Sequence, residues 1–407
     1  MPPEPLPRLF WRYLRFGLLA WGGPVAQINM IRQELVEERR WVTPEHFHRV
    51  LAVYQVLPGP EAHEMCVYFG MLSRGRLGGL LAGLGFMLPG FVLMLALSTL
   101  YTGGVELEVF RKFFAGVQPA VVALVVRAVY RIGQHALRDA WLWGLAAASG
   151  LGQVAGTSFW LTLPLSGLAY FFVHRGRGGL AAAVAAGMAA AVVLSWVPAR
   201  VAGDPRPPYL GQIVTPSGTE EAERASGAPA AQRPSLLRLL TSGLRAGLLS
   251  FGGAYTVLPF LRHDAVEVGR WLTDTQFLDG VALSGVLPAP FVIFSTFVGF
   301  LGGGLPGALV LTAGVFAPAF AFTLIGHRWV ERLVGQPRLH GFLDGVTAGV
   351  VGLIATTAVA LFRVGVDSLT AAATFGLSLA VLYAWRAKAA VAAVVLGAGL
   401  LGMVGRP

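Results

Sequence analysis

Apolar residues in this chain run in long unbroken stretches, not in the narrow stripes of a water-facing domain. Residues 77–101 and 305–325 carry no charge, and 342–362 carries only Asp344. Such runs match the roughly 20 residues a helix needs to cross a bilayer core of about 30 Å. Six segments fall in the first half of the chain: 10–31, 50–72, 77–101, 113–129, 141–154 and 159–173. Six more fall in the second half: 236–261, 278–300, 305–325, 342–362, 369–385 and 389–404. Residues 180–197 form an unmatched thirteenth. The pattern predicts an all-α polytopic membrane protein, with thirteen crossings if each segment crosses once.

The two sets are copies of one unit. Leu14-Arg15 and Gly17-Leu18-Leu19 return 230 positions later as Leu244-Arg245 and Gly247-Leu248-Leu249. The same offset carries Gly22-Gly23 onto Gly252-Gly253, Arg40-Trp41 onto Arg270-Trp271, and Pro58-Gly59-Pro60 onto Pro288-Ala289-Pro290. One residue is then lost, and Gly78 and Pro89 meet Gly307 and Pro318. The division expected is a first repeat with its extra span over 1–197, a flexible linker over 198–235, and a second repeat over 236–407. The linker is rich in Pro, Gly, Ser and Thr and cannot bury enough apolar surface to fold. An odd number of crossings before the second copy places the two copies in inverted orientation. Arginines such as Arg74, Arg131, Arg175 and Arg270 then share one side, which the positive-inside rule makes cytoplasmic.

Composition sharpens this picture. Only 13% of residues are charged, and the mean hydropathy is +0.65, which excludes a large soluble protein. The net charge of +10 is scattered through short loops, so no nucleic-acid partner is expected; the bilayer is the expected partner. The single Cys66 rules out an intrachain disulfide and a cysteine-rich metal site. No Walker loop, zinc spacing or nucleophile elbow occurs, so neither an enzyme nor a cofactor or metal is expected.

The candidate chemistry lies at the breaks. Proline lacks an N–H and clashes with the preceding turn, so Pro58-Gly59-Pro60 and Pro288-Ala289-Pro290 each divide a segment into two half-helices. Irregular backbone at membrane depth persists only when buried in protein or lining a cavity. A half-helix that starts there presents free N–H groups and a positive dipole end to an anion. Paired broken helices in inverted repeats place a transporter's substrate site near the midplane. Gly22-Gly23-Pro24 and Gly252-Gly253 permit either close ligand approach or tight helix packing. Gln27, Asn29 and Tyr255 follow them as candidate hydrogen-bonding groups. Glu61, His63 and Glu64 follow the first break, and ionisable groups inside a span are functional suspects as proton or cation carriers; solvated carboxylates at a vestibule are the alternative. Arg32 and Arg262 open matching charged stretches that end at Trp41 and Trp271. These are either interfacial anchors or gates that recruit anions.

Taken together, Phe16-Gly17, Gly22-Gly23-Pro24, Val36-Glu37 through Trp41, Leu57-Pro58-Gly59-Pro60, and Gly83-Leu84-Gly85-Phe86-Met87-Leu88-Pro89-Gly90 resemble the chromate ion transporter family. The resemblance covers both halves. It implies a bacterial inner-membrane protein of the long two-domain form with antiparallel halves, exporting chromate, with sulfate as a related oxyanion, and conferring chromate resistance. This chain departs from the family at Gln27, where His is usual. It departs again at Glu61-Ala62-His63-Glu64, which keeps only the last residue of Asn-Ser-Thr-Glu, and at Ala289, which replaces a glycine. The expected activity is secondary active transport of a divalent oxyanion. An anion channel, or a transporter of another small anion or metabolite, is the competing reading. The oligomeric state stays open, a homodimer included.

Overall fold

The two copies repeat one another in local conformation as well as in sequence. The computed structural model describes residues 3–21, 23–55, 57–104, 108–201, 233–251, 253–326, 337–385 and 390–405. Helix α1 (Leu6–Leu18) corresponds to α9 (Leu236–Leu248), both of 13 residues. After α1 the chain turns and continues as α2 (Gly23–Arg32) and a π-helical turn, Gln33–Glu38. After α9 it continues as a 3₁₀ turn, α10 (Leu258–Arg262) and a π-helical turn, His263–Val268. Arg40 and Arg270 close these stretches with φ of 53° and 52°.

Helices α3 (Pro44–Tyr54) and α11 (Asp274–Val286) lead into the proline breaks. Helix α4 (Glu61–Gly104) starts directly after the first break, whereas α12 (Phe294–Leu324) is preceded by a 3₁₀ turn, Phe291–Ile293. Both helices reverse direction inside their nominal length. The reversal falls at Arg74–Gly75 in α4 and at Gly303–Gly304 in α12, where Gly75 and Gly304 adopt φ of 63° and 62°. The reversal is a hairpin, because Gly70 packs on Gly78 and Gly299 packs on Gly307 with no room for a side chain.

The remaining helices are α5 (Glu108–Ala136), α6 (Ala140–Val154), α7 (Phe159–His174), α8 (Gly178–Val201), α13 (Pro337–Gly365), α14 (Leu369–Ala384) and α15 (Ala390–Gly405). The described residues contain no strand, so the all-α reading stands.

Two compact units emerge. One comprises Met1–Arg127, Arg233–Arg332 and Val364–Pro407; the other comprises Ala128–Gln232 and Leu333–Arg363. In the first unit, α1 lies on the long arm of α4, with Gly17 against the Phe86 carbonyl, and α9 lies on α12, with Gly247 against the Val315 carbonyl. The arms of α4 and α12 pack on each other, Gly83 on Phe320 and Gly79 on Leu324. In the second unit, Gly341, Gly345 and Gly349 of α13 press against His174, Tyr170 and Leu163 of α7. Their spacing of four residues makes one close-packing face, as small residues do in membrane bundles.

Three expectations need adjustment. Segments 10–31 and 236–261 are not single spans: the chain leaves the helix at Leu19 and Leu249 and restarts after the glycine turns. Among the described residues, five helical stretches are long and apolar enough to cross a membrane: Glu61–Gly104, Glu108–Ala136, Gly178–Ser195, Phe291–Leu324 and His340–Gly365. Thirteen full crossings therefore lack support in helix length. The expected linker lies almost wholly outside the described residues, apart from its two ends at α8 and before α9.

Candidate functional site at the paired proline breaks

Pro58, Gly59 and Pro60 are all buried. Pro60 caps the half-helix that follows, its carbonyl accepting from the N–H groups of His63 at 2.9 Å and Glu64 at 3.1 Å. The N–H groups of Glu61 and Ala62 make no hydrogen bond to the described residues. The first turn of a helix leaves such donors free unless something caps them. At the second break Pro290 plays the same part, accepting from Ile293 at 2.9 Å, and the N–H groups of Phe291 and Val292 are likewise unpaired among the described residues. Pro288, Ala289 and Pro290 are buried too.

Each break meets the glycine turn of the other copy. The Gly59 N–H donates to the Ser250 carbonyl at 3.3 Å, just before Phe251. Reciprocally, the side-chain amide of Gln27 donates to the carbonyls of Ala20 and Ala289, both at 3.1 Å. Gln27 is only 1% exposed. The long arms cross in the same way: Ala319 of α12 lies against Gly59, and Gly90 of α4 lies against Ala289. Gly90 and Ala319 are equivalent positions at the 229-residue offset. The contacts are therefore those of a local two-fold arrangement.

The glycine turns are open. Gly23 has φ of 79° and Gly253 has φ of 116°, and a Cβ on either would meet nothing within 4 Å. Their conformation favours glycine, and free space adjoins them; tight helix packing does not account for these two. Their neighbours Gly22 and Gly252 lie outside the described residues. Pro24 is half-buried, and Asn29, unlike Gln27, is exposed. Tyr255 is half-buried and stacks on Phe291, with ring centres 4.1 Å apart.

Glu61, His63 and Glu64 line the first half-helix. Glu61 is half-buried, whereas His63 and Glu64 are fully buried. The Glu64 carboxyl has no hydrogen-bond donor on either oxygen. A Cβ on Gly59 would stand 3.0 Å from its Cδ, so the acid reaches back to the break. His63 is boxed by Phe86, Phe316 and Phe320, the last two edge-on at 4.9 and 4.7 Å. Neither ring nitrogen of His63 has a hydrogen-bond partner among the described residues. The second copy supplies only Phe291, Ile293 and Phe294 here.

The two candidate gate arginines differ. Arg32 is 41% exposed and stands 3.6 Å from Glu37. Arg262 is 4% exposed and is held by Glu267 and, at 2.8 Å, by Asp274. Removing one partner of a buried ion pair strands the other charges. Arg262→Ala is therefore expected to cost about 3–5 kcal/mol of stability. Arg32→Ala, at an exposed pair, should cost less than about 1 kcal/mol. Thermal unfolding of the two purified variants checks the contrast.

Another buried polar cluster lies in the first unit. Asp279 of α11 accepts from the Tyr101 hydroxyl at 2.8 Å and from the Gln118 amide at 3.1 Å. Its sequence signal is faint, one carboxylate at the edge of the apolar segment 278–300. A separate cavity of about 590 Å³ between the arms of α4 and α12 is lined by apolar side chains such as Leu84, Phe91, Leu309 and Phe320. None of the candidate site residues lines it.

Comparison with known proteins places these features in context. The family profile described as chromate transporter matches residues 7–197 and 237–403. The chain is 51% identical to a chromate transport protein of Pseudomonas aeruginosa, covering 98% of this chain and 92% of that one. It is 30% identical to a chromate transport protein of Cupriavidus metallidurans, covering 100% and 94%. It is 29% identical to a probable chromate transport protein of Synechococcus elongatus, covering 95% and 91%. No solved structure matches it.

Proposed function

The chain belongs to the chromate transporter family, and from that premise we propose that it exports chromate across a bacterial inner membrane by secondary active transport, with sulfate as a related cargo. The observation that carries this reading is the reciprocal contact of each proline break with the other copy's glycine turn. The N–H groups of Glu61, Ala62, Phe291 and Val292 then serve as anion donors at two half-helix N-termini. Gly23 and Gly253 leave backbone accessible beside them, and Gln27 fixes the spacing between Ala20 and Ala289.

Depth supports the assignment. About 13 residues of helix separate Pro60 from the hairpin turn at Arg74, a rise of about 20 Å. With Arg74 at the membrane surface, Pro60 falls well inside a core of about 30 Å. We read the two copies as inversely oriented, with the N-terminus cytoplasmic, and transport as a rocking of one copy against the other. Glu64 and Glu61 are the proton carriers in this scheme, with His63 beside them. Arg32 and Arg262 remain candidates for the mouths of the pathway.

Uptake of labelled chromate and sulfate into inverted membrane vesicles, with and without an imposed pH gradient, tests the proposal. Accumulation of chromate above its outside concentration is expected. Flux that only ever runs downhill would replace the transporter with a channel, and no flux of either anion would remove the oxyanion assignment.

A further inference from the structure

Among the at least partly buried carboxylates of the first unit that have a side-chain partner, Asp279 differs in the kind of partner it has; Glu64 has none. Glu34 is held by Arg12 and Arg15, and Glu267 and Asp274 by Arg262. Arginine only donates and stays charged. Asp279 is 3% exposed, and its two partners are neutral: a phenol and a primary amide. Both can change roles. A hydroxyl turns from donor to acceptor, and a glutamine amide offers a carbonyl oxygen when flipped. The same pair can therefore satisfy a carboxylate, which accepts twice, or a carboxylic acid, which also donates.

The elements packed around it present mostly uncharged groups; the segment at Gly365, which meets Leu278 and the Gln118 backbone, is flanked by Arg363 and Asp367. From α4 the facing titratable group is Tyr101, whose ring is clasped edge-on by Phe114 and Phe297 at 5.2 and 5.0 Å. From α5 the facing group is Gln118, and α12 presents Phe297, which packs on Gly280. Towards α15, Gly285 of α11 meets Val391 and Val395. Among the described residues no Lys, Arg, His, Asp or Glu side chain forms an ion pair with Asp279.

Asp279 also joins the copies. It sits on α11 of the second, about nine residues or 13 Å before Pro288, and its partners sit on α4 and α5 of the first. Its equivalent in the first copy is Arg49, which is exposed, so the cluster occurs once.

We propose that Asp279 is a proton-binding site of the transport cycle, its carboxyl taking a proton from water and returning it to water while Tyr101 and Gln118 reverse their hydrogen bonds. The proposal rests on the transporter reading above and adds a proton site separate from Glu61 and Glu64. Protonation state then sets how firmly the helix leading into the second break is tied to the first copy.

Infrared difference spectra of the purified full-length protein, recorded between about pH 5 and about pH 9, read the site without any cargo. A protonated-carboxyl component should appear on acidification that is missing in Asp279→Asn, shifted in Asp279→Glu, and retained in Glu64→Gln. Tyr101→Phe should move its midpoint. In proteoliposomes, Asp279→Asn should lose proton movement linked to chromate flux by about tenfold, and Asp279→Glu should restore it. Superimposable carboxyl bands in wild type and Asp279→Asn would make Asp279 a static tie and overturn the proposal. If Asp279→Asn does not accumulate, the spectra of Asp279→Glu and Tyr101→Phe decide: a carboxyl band unaltered in both also overturns it. Wild-type vesicles that move no chromate would remove the cargo assignment, and the infrared band would still decide whether Asp279 titrates.

Discussion

Gly59→Leu should abolish chromate flux while the protein still inserts and purifies as a folded species. Gly59 has φ of 147°, a region that costs a side-chain-bearing residue about 1–3 kcal/mol. The added side chain would also meet the Glu64 carboxyl at 3.0–3.1 Å and Ala319 Cβ at 3.3 Å. Overpacking of that kind costs about 1–3 kcal/mol more. Relief requires the first break to move away from Ser250 and α12, which spoils the arrangement in which the Glu61 and Ala62 donors are presented. A fall of about 100-fold in flux corresponds to about 2.7 kcal/mol, within that sum. Ala289 does not share the positive φ, so Ala289→Gly should stay within about 1 kcal/mol of wild type in stability. Flux in reconstituted vesicles, normalised to inserted protein, is the measurement. Transport by Gly59→Leu at the wild-type rate would remove the break from the mechanism.

Glu64→Gln should leave chromate movement possible but indifferent to a pH gradient. The packed break offers no donor to either oxygen of Glu64, and an unpaired buried charge costs several kcal/mol. The arrangement described here thus accommodates the neutral acid, which glutamine imitates in shape and charge but cannot ionise. Wild-type flux should respond to an imposed gradient, and the variant's flux should be the same with and without it. Glu64→Ala separates charge from packing, since it also leaves a gap against Gly59. An undiminished response in Glu64→Gln would pass the coupling role to other groups.

Much of this was legible in the residues. The duplication, both proline breaks and the hairpin turns after segments 50–72 and 278–300 follow from spacing and from the chemistry of proline and glycine. The restart at Gly23 was less visible. Apolar residues continue on both sides of the Gly22-Gly23 pair, so hydropathy alone draws one span from 10 to 31. The cue was the glycines of this stretch, which serve backbone conformation at Gly23 and Gly253 but tight packing at Gly17 and Gly247. Sequence does not tell these uses apart, because the neighbours that decide it come from elsewhere in the chain. The same holds for Gln27, whose partner Ala289 is 262 residues away. Asp279 was harder still, since its meaning depends on Tyr101 and Gln118 from the other copy.

The short turn at Phe291–Ile293 explains how the copies tolerate unequal length. From Pro60 to Gly70 the first copy climbs ten α-helical residues, about 15 Å. From Pro290 to Gly299 the second has nine, but three of them rise about 2 Å each in tighter winding, again giving about 15 Å. Winding angle differs by only about 40°. A deletion that would have misaligned every downstream glycine is thus absorbed within one coil, and the two halves remain free to diverge in chemistry at that coil, acidic in one and aromatic in the other, without losing their shared architecture.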